Sequence, residues 1–258
     1  MRNHLGKWQQ YVLLQQSTTT SKYIPETTLY SINNLLHFLN RYEHVYVKHD
    51  STGQGRAMFK VYKRNDGLYC YNGFTVQAKP LKKCVASIEE FHQVLHPFEK
   101  FGRSGGNYII QEGIKSLDQN GQPFHIRVHL QFLSGNWMIG GMFGMMGTGV
   151  ATDTGIVNAH RGGQAISVNE LLSVYLLMDS KEQADVIAHL KSISIAAAEA
   201  ISPYYPSKEY GIDLGVLHDK KPVIFEVNST PGIGVFARIE NKDIWRRIVE
   251  NRKMQSKD

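Results

Sequence analysis

Gly211-Ile212-Asp213-Leu214-Gly215-Val216-Leu217, His218-Asp219-Lys220-Lys221 and Val223-Ile224-Phe225-Glu226-Val227-Asn228 follow one another near the C-terminal end of the chain. Two β-patterned runs separated by a polar turn predict a hairpin. Side chains two apart on a strand share a face, so Glu226 and Asn228 point the same way, roughly 6.5 to 7 Å apart along the strand. A turn centred between Asp219 and Lys220 opposes Asp213 to Glu226, and three oxygen donors then share one face. A slip of one residue would turn Asp213 away. Two carboxylates and a carboxamide suit a hard cation such as Mg²⁺, which takes few protein oxygens and fills its shell with water and phosphate. An exposed polar face on an edge hairpin has the same spacing. Directly after the strand, Ser229-Thr230-Pro231-Gly232-Ile233-Gly234 forms a turn that needs glycine torsions and is able to approach phosphate.

Working outward, the clearest alternating strand runs from Phe124 to Phe132, with one apolar face and a second face of His125, Arg127, His129 and Gln131. That second face reads either as solvated or as the site of a group, Arg127, that steadies a transferring phosphoryl. Asn158-Ala159-His160-Arg161-Gly162-Gly163 joins a carboxamide and a guanidinium to two flexible residues, the makings of an anion-binding loop. Ser167 with Glu170 and Ser180 with Gln183 have the spacing of helix caps, and the second helix carries Ile187, Leu190, Ile193, Ala197 and Ile201 at helical period.

The first half predicts helices over 5–16 and 31–40, the latter capped by Ser31, with Ile24 to Thr27 as an extended connection. Strands are expected over Val45 to Lys48, Ala57 to Tyr62, Leu68 to Tyr71 and Tyr108 to Gln111, and a short helix from Ser87 and Glu90 to before Pro97. Lys48 precedes Asp50-Ser51-Thr52-Gly53-Gln54-Gly55, where Gly53 and Gly55 let backbone N–H groups approach an anion. A phosphate lid and an ordinary glycine-rich hairpin both fit this stretch. Neither a P-loop nor a GxGxxG pattern is present.

With 258 residues, 42% of them hydrophobic, the chain buries a substantial core as one large domain or two lobes. The apolar runs are short and interrupted, so neither a signal peptide nor a membrane span is expected and the location reads as intracellular. Cys70 and Cys84 lack metal-knuckle spacing and are expected to be free thiols with no role. The net charge of +6 gathers in the tail, where basic residues surround Ile244, Trp245 and Ile248. The pattern fits a helix docked by one face; a polyanion patch is the alternative, without any aromatic-basic RNA motif to favour it.

Taken in order, Lys48 with its glycine loop, Gln111-Glu112-Gly113-Ile114, Ile126-Arg127, Asn158 to Gly163, Asp213 and Glu226 to Gly232 resemble the ATP-grasp superfamily over nearly the whole chain. Within it the chain resembles the YheC/YheD family, endospore coat-associated proteins of spore-forming bacteria, and its Asn158 to Gly163 stretch is also similar to ribosomal-protein glutamate ligases. The resemblance implies an α+β, ATP-grasp fold: two lobes with antiparallel sheets holding nucleotide between them, all within a single domain over 1–258. Its parts would be leading helices over 1–40, a smaller lobe with the phosphate lid over about 41–113, and a larger lobe with the metal site and C-terminal helix over about 114–258.

The same resemblance assigns roles. Lys7, Lys48, Gly53 and Gly55 would hold ATP phosphates, and Gln111, Glu112, Gly113 and Ile114 the adenine. Asp213, Glu226 and Asn228 would ligate one or two Mg²⁺ ions, or Mn²⁺, and Arg127, Asn158 and Arg161 would stand at the reaction centre. The implied activity is an ATP-dependent carboxylate-amine ligase acting through an acyl phosphate; the alternative is a coat or coat-assembly protein that binds nucleotide without turnover. The expected partners are ATP, a carboxylate, an amine and spore coat proteins, with no membrane and no nucleic acid, in the cytoplasm or at the developing coat. Two departures stand out: His125 where the family has an acid, and His49 where it commonly has proline. The family's preceding domain, which helps bind the acceptor, is expected to be absent.

Overall fold

The computed structural model describes residues 5–102, 105–159, 161–239 and 242–255. In chain order the first elements are α1 (Lys7–Gln16), β1 (Thr27–Leu29), α2 (Ile32–Arg41), β2 (Val45–His49), β3 (Met58–Lys63), β4 (Tyr69–Phe74), β5 (Pro80–Val85), α3 (Ile88–Leu95) and β6 (Tyr108–Glu112). Six strands form one antiparallel sheet in the order β1-β6-β2-β3-β4-β5. Its inner face, with Val45, Val47, Phe59, Val61, Tyr71 and Ile110, packs on Leu35, Phe38 and Leu39 of α2 and on Ile88, Phe91 and Leu95 of α3. Ser31 caps α2 by accepting a hydrogen bond from the Asn34 N–H at 3.0 Å, as its sequence predicts. Ser87 caps α3 through the Glu89 N–H rather than through the Glu90 box.

The second half contains β7 (Phe124–Leu133), β8 (Asn136–Met146), α4 (Val150–Thr154), β9 (Gln164–Ile166), α5 (Val168–Glu170) continuing into a π-turn over Leu171–Tyr175, α6 (Ser180–Ile201), β10 (Glu209–Val216), β11 (Pro222–Asn228) and α7 (Asp243–Gln255). Its five strands run β11-β10-β7-β8-β9, again antiparallel. The apolar face of β7 packs with Ile212, Leu214 and Ile224 against Val186, Leu190, Ile193, Ala197 and Ile201 of α6. The cap of α6 is Asp179 with Glu182 in a reciprocal box, one residue before the expected Ser180 and Gln183 pair. Leu13 and Leu14 of α1 join this core, and Gln10 accepts the Val227 N–H at 2.8 Å, so α1 covers the edge strand β11. The chain thus opens on the five-stranded sheet before β1 and α2 enter the six-stranded one.

Three further expectations change. Cys70 and Cys84 face each other across β4 and β5 and form a disulfide, not two free thiols. β1, β5 and β8 have no counterpart in the sequence reading; β8 is masked by a bulge at Gly140 and by Gly144, where a Cβ would meet Leu171 at 2.8 Å. Only part of the polar face of β7 meets solvent. His129 and Gln131 are fully buried beneath α7, where Gln131 donates to Glu209 at 2.8 Å and to the Ile248 carbonyl at 3.0 Å. Arg252 of α7 adds a bidentate pair to Glu209, so polar contacts as well as Ile248 dock the basic helix.

Candidate functional site

The hairpin register predicted from sequence is present, by an unpredicted route. Val216 pairs with Pro222 and Leu214 with Ile224, and a bulge then inserts Phe225 so that Asp213 opposes Glu226. Because Asp213 also pairs with Arg127, and Arg127 with Phe143, one row of side chains crosses four strands: Glu226, Asp213, Arg127, Phe143. Asn228 stands one step along and donates to Asp213 at 3.2 Å. Arg127 grips both Asp213 oxygens, with Nη2 to Oδ2 at 2.8 Å. The guanidinium lies over Gly211, where a Cβ would come within 3.0 Å of it and 2.9 Å of Pro231. His125 Nε2 lies 3.8 Å from Asp213. Burial raises the Asp213 pKa, but Arg127 and then His125 more than offset this, so the group stays below the usual carboxylate range. Burial holds His125 below the ordinary histidine value despite the pull of Asp213.

The cation row opposite comes from the other end of the chain. Lys7, the first residue of α1, places Nζ 3.1 Å from Glu226 and 2.6 Å from the Thr52 carbonyl. Its helix lacks a side-chain cap of its own; Asp50 supplies one by accepting the Trp8 N–H at 2.7 Å, in an approach so close that only glycine fits at position 6. Asp50 therefore ties the base of the glycine loop to α1, a role with no sequence signal. Lys48 is buried and donates to the Gln111 side chain, whose own amide donates to Thr27 at 3.1 Å. Burial, partly offset by Glu226, lowers the Lys48 pKa to about 8.

These walls enclose a cleft of about 880 Å³ lined by Lys48, Gly55, Gln111, Glu112, Ile114, Arg127, Asn158, Asp213, Glu226 and Asn228. Gly53 and Gly113 are not among its lining residues. Gly113 closes the strand end beneath His44, whose ring leaves no room for a Cβ, and its N–H is taken by the His44 carbonyl at 3.1 Å. Gln111 is mid-strand, its neighbours Thr27 and Tyr46 on either side, so it meets the cleft by its side chain rather than by free backbone. Lys60 was missed: it stands beside Tyr46 on the cleft wall, its pKa lowered by burial.

The Asn158 to Gly163 loop bridges the sheets, and its His160 lies outside the described residues. The Asn158 carbonyl accepts the N–H groups of Arg161 and Gly163, each at 3.0 Å. Arg161 stacks 3.7 Å over the Phe74 ring of β4. Gly55 abuts the same loop, since a Cβ there would lie 3.0 Å from Ile156 and 3.9 Å from the Asn158 amide. Tyr46 donates to the Thr154 carbonyl at 3.2 Å, and Lys82 pairs with Asp153 at 3.2 Å. The structure thus brings Lys48, Gly55, Arg127, Asn158, Asp213, Glu226 and Asn228 to one cleft, while Lys7 stands outside its lining and reaches the site through Glu226, and Arg161 stacks on Phe74 beside Gly55, also outside the lining.

Three hard oxygen donors on adjacent paired positions fit Mg²⁺ or Mn²⁺ as a partial shell that phosphate oxygens would complete. No group of three or more His, Cys, Asp or Glu that could hold a metal by itself occurs among the described residues. A cation at Asp213 would take over the counter-charge now supplied by Arg127.

Comparisons with known proteins identify the family and the fold. Residues 2–253 match the sequence family described as YheC/D like ATP-grasp. The chain is 25% identical over 242 residues to the endospore coat-associated protein YheD of Bacillus subtilis, covering 92% of this chain and 50% of that protein. It therefore spans about half the length of that relative. Among solved structures, the D-alanine-D-alanine ligase from Coxiella burnetii superimposes with a TM-score of 0.53 at 12% identity, over 98% of this chain and 59% of the ligase. The ATP-grasp ligase PsnB, complexed with a minimal precursor, gives 0.51 at 14% identity over 96% and 61%. At these identities the likeness establishes the α+β, ATP-grasp fold.

Proposed function

Since the chain belongs to the YheC/D-like ATP-grasp family, we propose that it binds Mg-ATP in the cleft and joins a carboxylate to an amine. The observation that carries this reading is the Glu226–Asp213–Arg127 row facing Lys7 and Lys48. Lys7 and Lys48 offset phosphate charge, the glycine loop with Gly53 and Gly55 closes on it, and Gln111, Glu112 and Ile114 border the adenine, with Gly113 set back beneath His44. Asp213, Glu226 and Asn228 would hold Mg²⁺, or Mn²⁺, which supplies charge neutralisation when bound. Arg127, released from Asp213 as nucleotide enters, steadies the transferring phosphoryl, with Asn158 and Arg161 at the same end.

The substrate carboxylate attacks the γ-phosphorus and ADP leaves with the bond's electrons. The amine then attacks the acyl carbon, losing a proton as phosphate departs. The protein contributes position and electrostatics. The chain acts as one ATP-grasp unit, in the cytoplasm or at the developing spore coat, where coat proteins are the expected partners. No helix among the described residues is long and apolar enough to cross a membrane. ADP release that requires both an added carboxylate and an added amine, and that is lost in Glu226→Ala, tests the ligase reading.

The coat association of the Bacillus relative favours a second reading, nucleotide binding without turnover. Mg-ATP binding with no ADP release across a broad screen of acids and amines would favour it.

A further inference from the structure

Lys7 reaches the row from a helix whose first turn is held by a distant residue. The N-cap of α1 is Gly6, which offers no side chain. The N–H groups of Lys7 and Trp8, which no helical carbonyl can satisfy, both go to Asp50: its carbonyl accepts the first at 3.1 Å and its Oδ1 the second at 2.7 Å. Gly6 is there for space alone. Its φ of −70° and ψ of 159° are open to any L-residue, yet a Cβ would lie 2.3 Å from Asp50 Oδ2.

The contact joins the two sheets. Asp50 directly follows β2 and donates its own N–H to the Asn107 carbonyl at 2.8 Å, just before β6, so it is anchored to the six-stranded sheet. α1 instead packs Leu13 and Leu14 into the core of the five-stranded sheet. At this joint Lys7 Nζ lies between the Thr52 carbonyl of the glycine loop, at 2.6 Å, and Glu226 of β11, at 3.1 Å. A lysine ammonium rides on a flexible four-carbon stem, so it is held at one point only if its backbone is fixed. Asp50 fixes that backbone through two successive N–H groups.

We propose that Asp50 is a positioning residue for nucleotide, acting through Lys7. By capping α1 across the boundary between the sheets, it sets the Lys7 ammonium beside the glycine loop and the metal strand before phosphate arrives. The inference rests on the nucleotide reading and adds to it the residue on which Lys7 depends.

The test is calorimetric titration of the full chain with Mg²⁺ and the β,γ-imido analogue of ATP, beside adenosine binding followed by ligand-observed NMR. Wild type is titrated first. No binding of the analogue there refutes the nucleotide reading itself, and the later outcomes bear on Asp50 alone. Asp50→Ala is expected to bind the analogue about tenfold more weakly, about 1.4 kcal/mol, and adenosine, which has no phosphate, as wild type does. Asp50→Asn keeps an acceptor for the Trp8 N–H and should recover most of the loss. Gly6→Ala displaces the same carboxylate from the α1 side and should reproduce the behaviour of Asp50→Ala; it carries the comparison if Asp50→Ala does not fold. In a Lys7→Met background Asp50→Ala should cost nothing further, because no ammonium remains to be placed. Wild-type affinity in Asp50→Ala and Gly6→Ala, an equal loss for adenosine and the analogue, no recovery in Asp50→Asn, or the same tenfold loss without Lys7 would overturn the inference.

Discussion

Lys48→Met should make the protein more stable and less able to bind nucleotide. The amine is buried, and its pKa falls from 10.5 to about 8, with burial the largest cause and Glu226 pulling the other way. At about 1.4 kcal/mol per pH unit this depression amounts to about 3 kcal/mol against the charged form. Below pH 8 both folded and unfolded chains carry the proton and the full penalty acts. Between pH 8 and 10.5 the folded chain releases it while the unfolded chain keeps it, so wild-type stability rises with pH in that window. Methionine of similar length removes the penalty but leaves the Gln111 carbonyl without its donor, a loss of about 1–2 kcal/mol. The net expectation at pH 7 is a gain of about 1–2 kcal/mol in urea unfolding, shrinking by pH 9.5. In the same variant the thermal shift produced by Mg-ATP should be largely lost, because the phosphates lose a charge fixed in place before they arrive. A destabilised Lys48→Met, or a difference that does not shrink at high pH, would refute the buried-amine reasoning.

Other substitutions probe other joints. Gly211→Ala should push Arg127 and Pro231 apart, costing about 1–3 kcal/mol of stability and weakening Mg-ATP binding, both measurable by thermal shift. Glu209→Gln should loosen α7, which Arg252 holds through that carboxylate, exposing Trp245 to a fluorescence quencher. The carboxyl itself is held down to about 2: burial opposes this, and His129, Arg252 and Gln131 outweigh it. Its stabilisation is present above the unfolded value of 4.5 and fades as pH falls towards 2, so wild type should approach the variant on acidification. Cys70→Ser should lower stability under oxidising conditions by about 3 kcal/mol for a loop of this size, and dithiothreitol should abolish the difference.

What was legible followed periodicity. The Asp213 and Glu226 pairing came from counting residues about a turn, although the turn lies elsewhere and Phe225 makes up the difference. The alternation of β7 and the stripe of α6 were visible because each buries one face. β8 was not, since its bulge at Gly140 and the glycines at 141 and 144 break any alternation. β5 was hidden by exposed Lys82 and Lys83. The polar docking of α7 was invisible for a different reason: Gln131, Glu209 and Arg252 look like surface residues until three elements converge. In the site, residue types near the metal strand were readable, whereas contacts made at long range were not. Asp50 on the N-terminus of α1, Lys60 beside Tyr46 and Arg161 on Phe74 each depend on tertiary closure.

Wild type and Glu226→Ala, each titrated with ATP in the presence and absence of Mg²⁺ and followed by thermal unfolding, test the central claim most directly. A ligand that binds only the folded chain raises its stability by about 2.7 kcal/mol at one hundred times Kd. The account predicts a rise of several degrees in wild type that needs Mg²⁺ and is lost in Glu226→Ala. No shift in wild type, or an equal shift in both proteins, would contradict it.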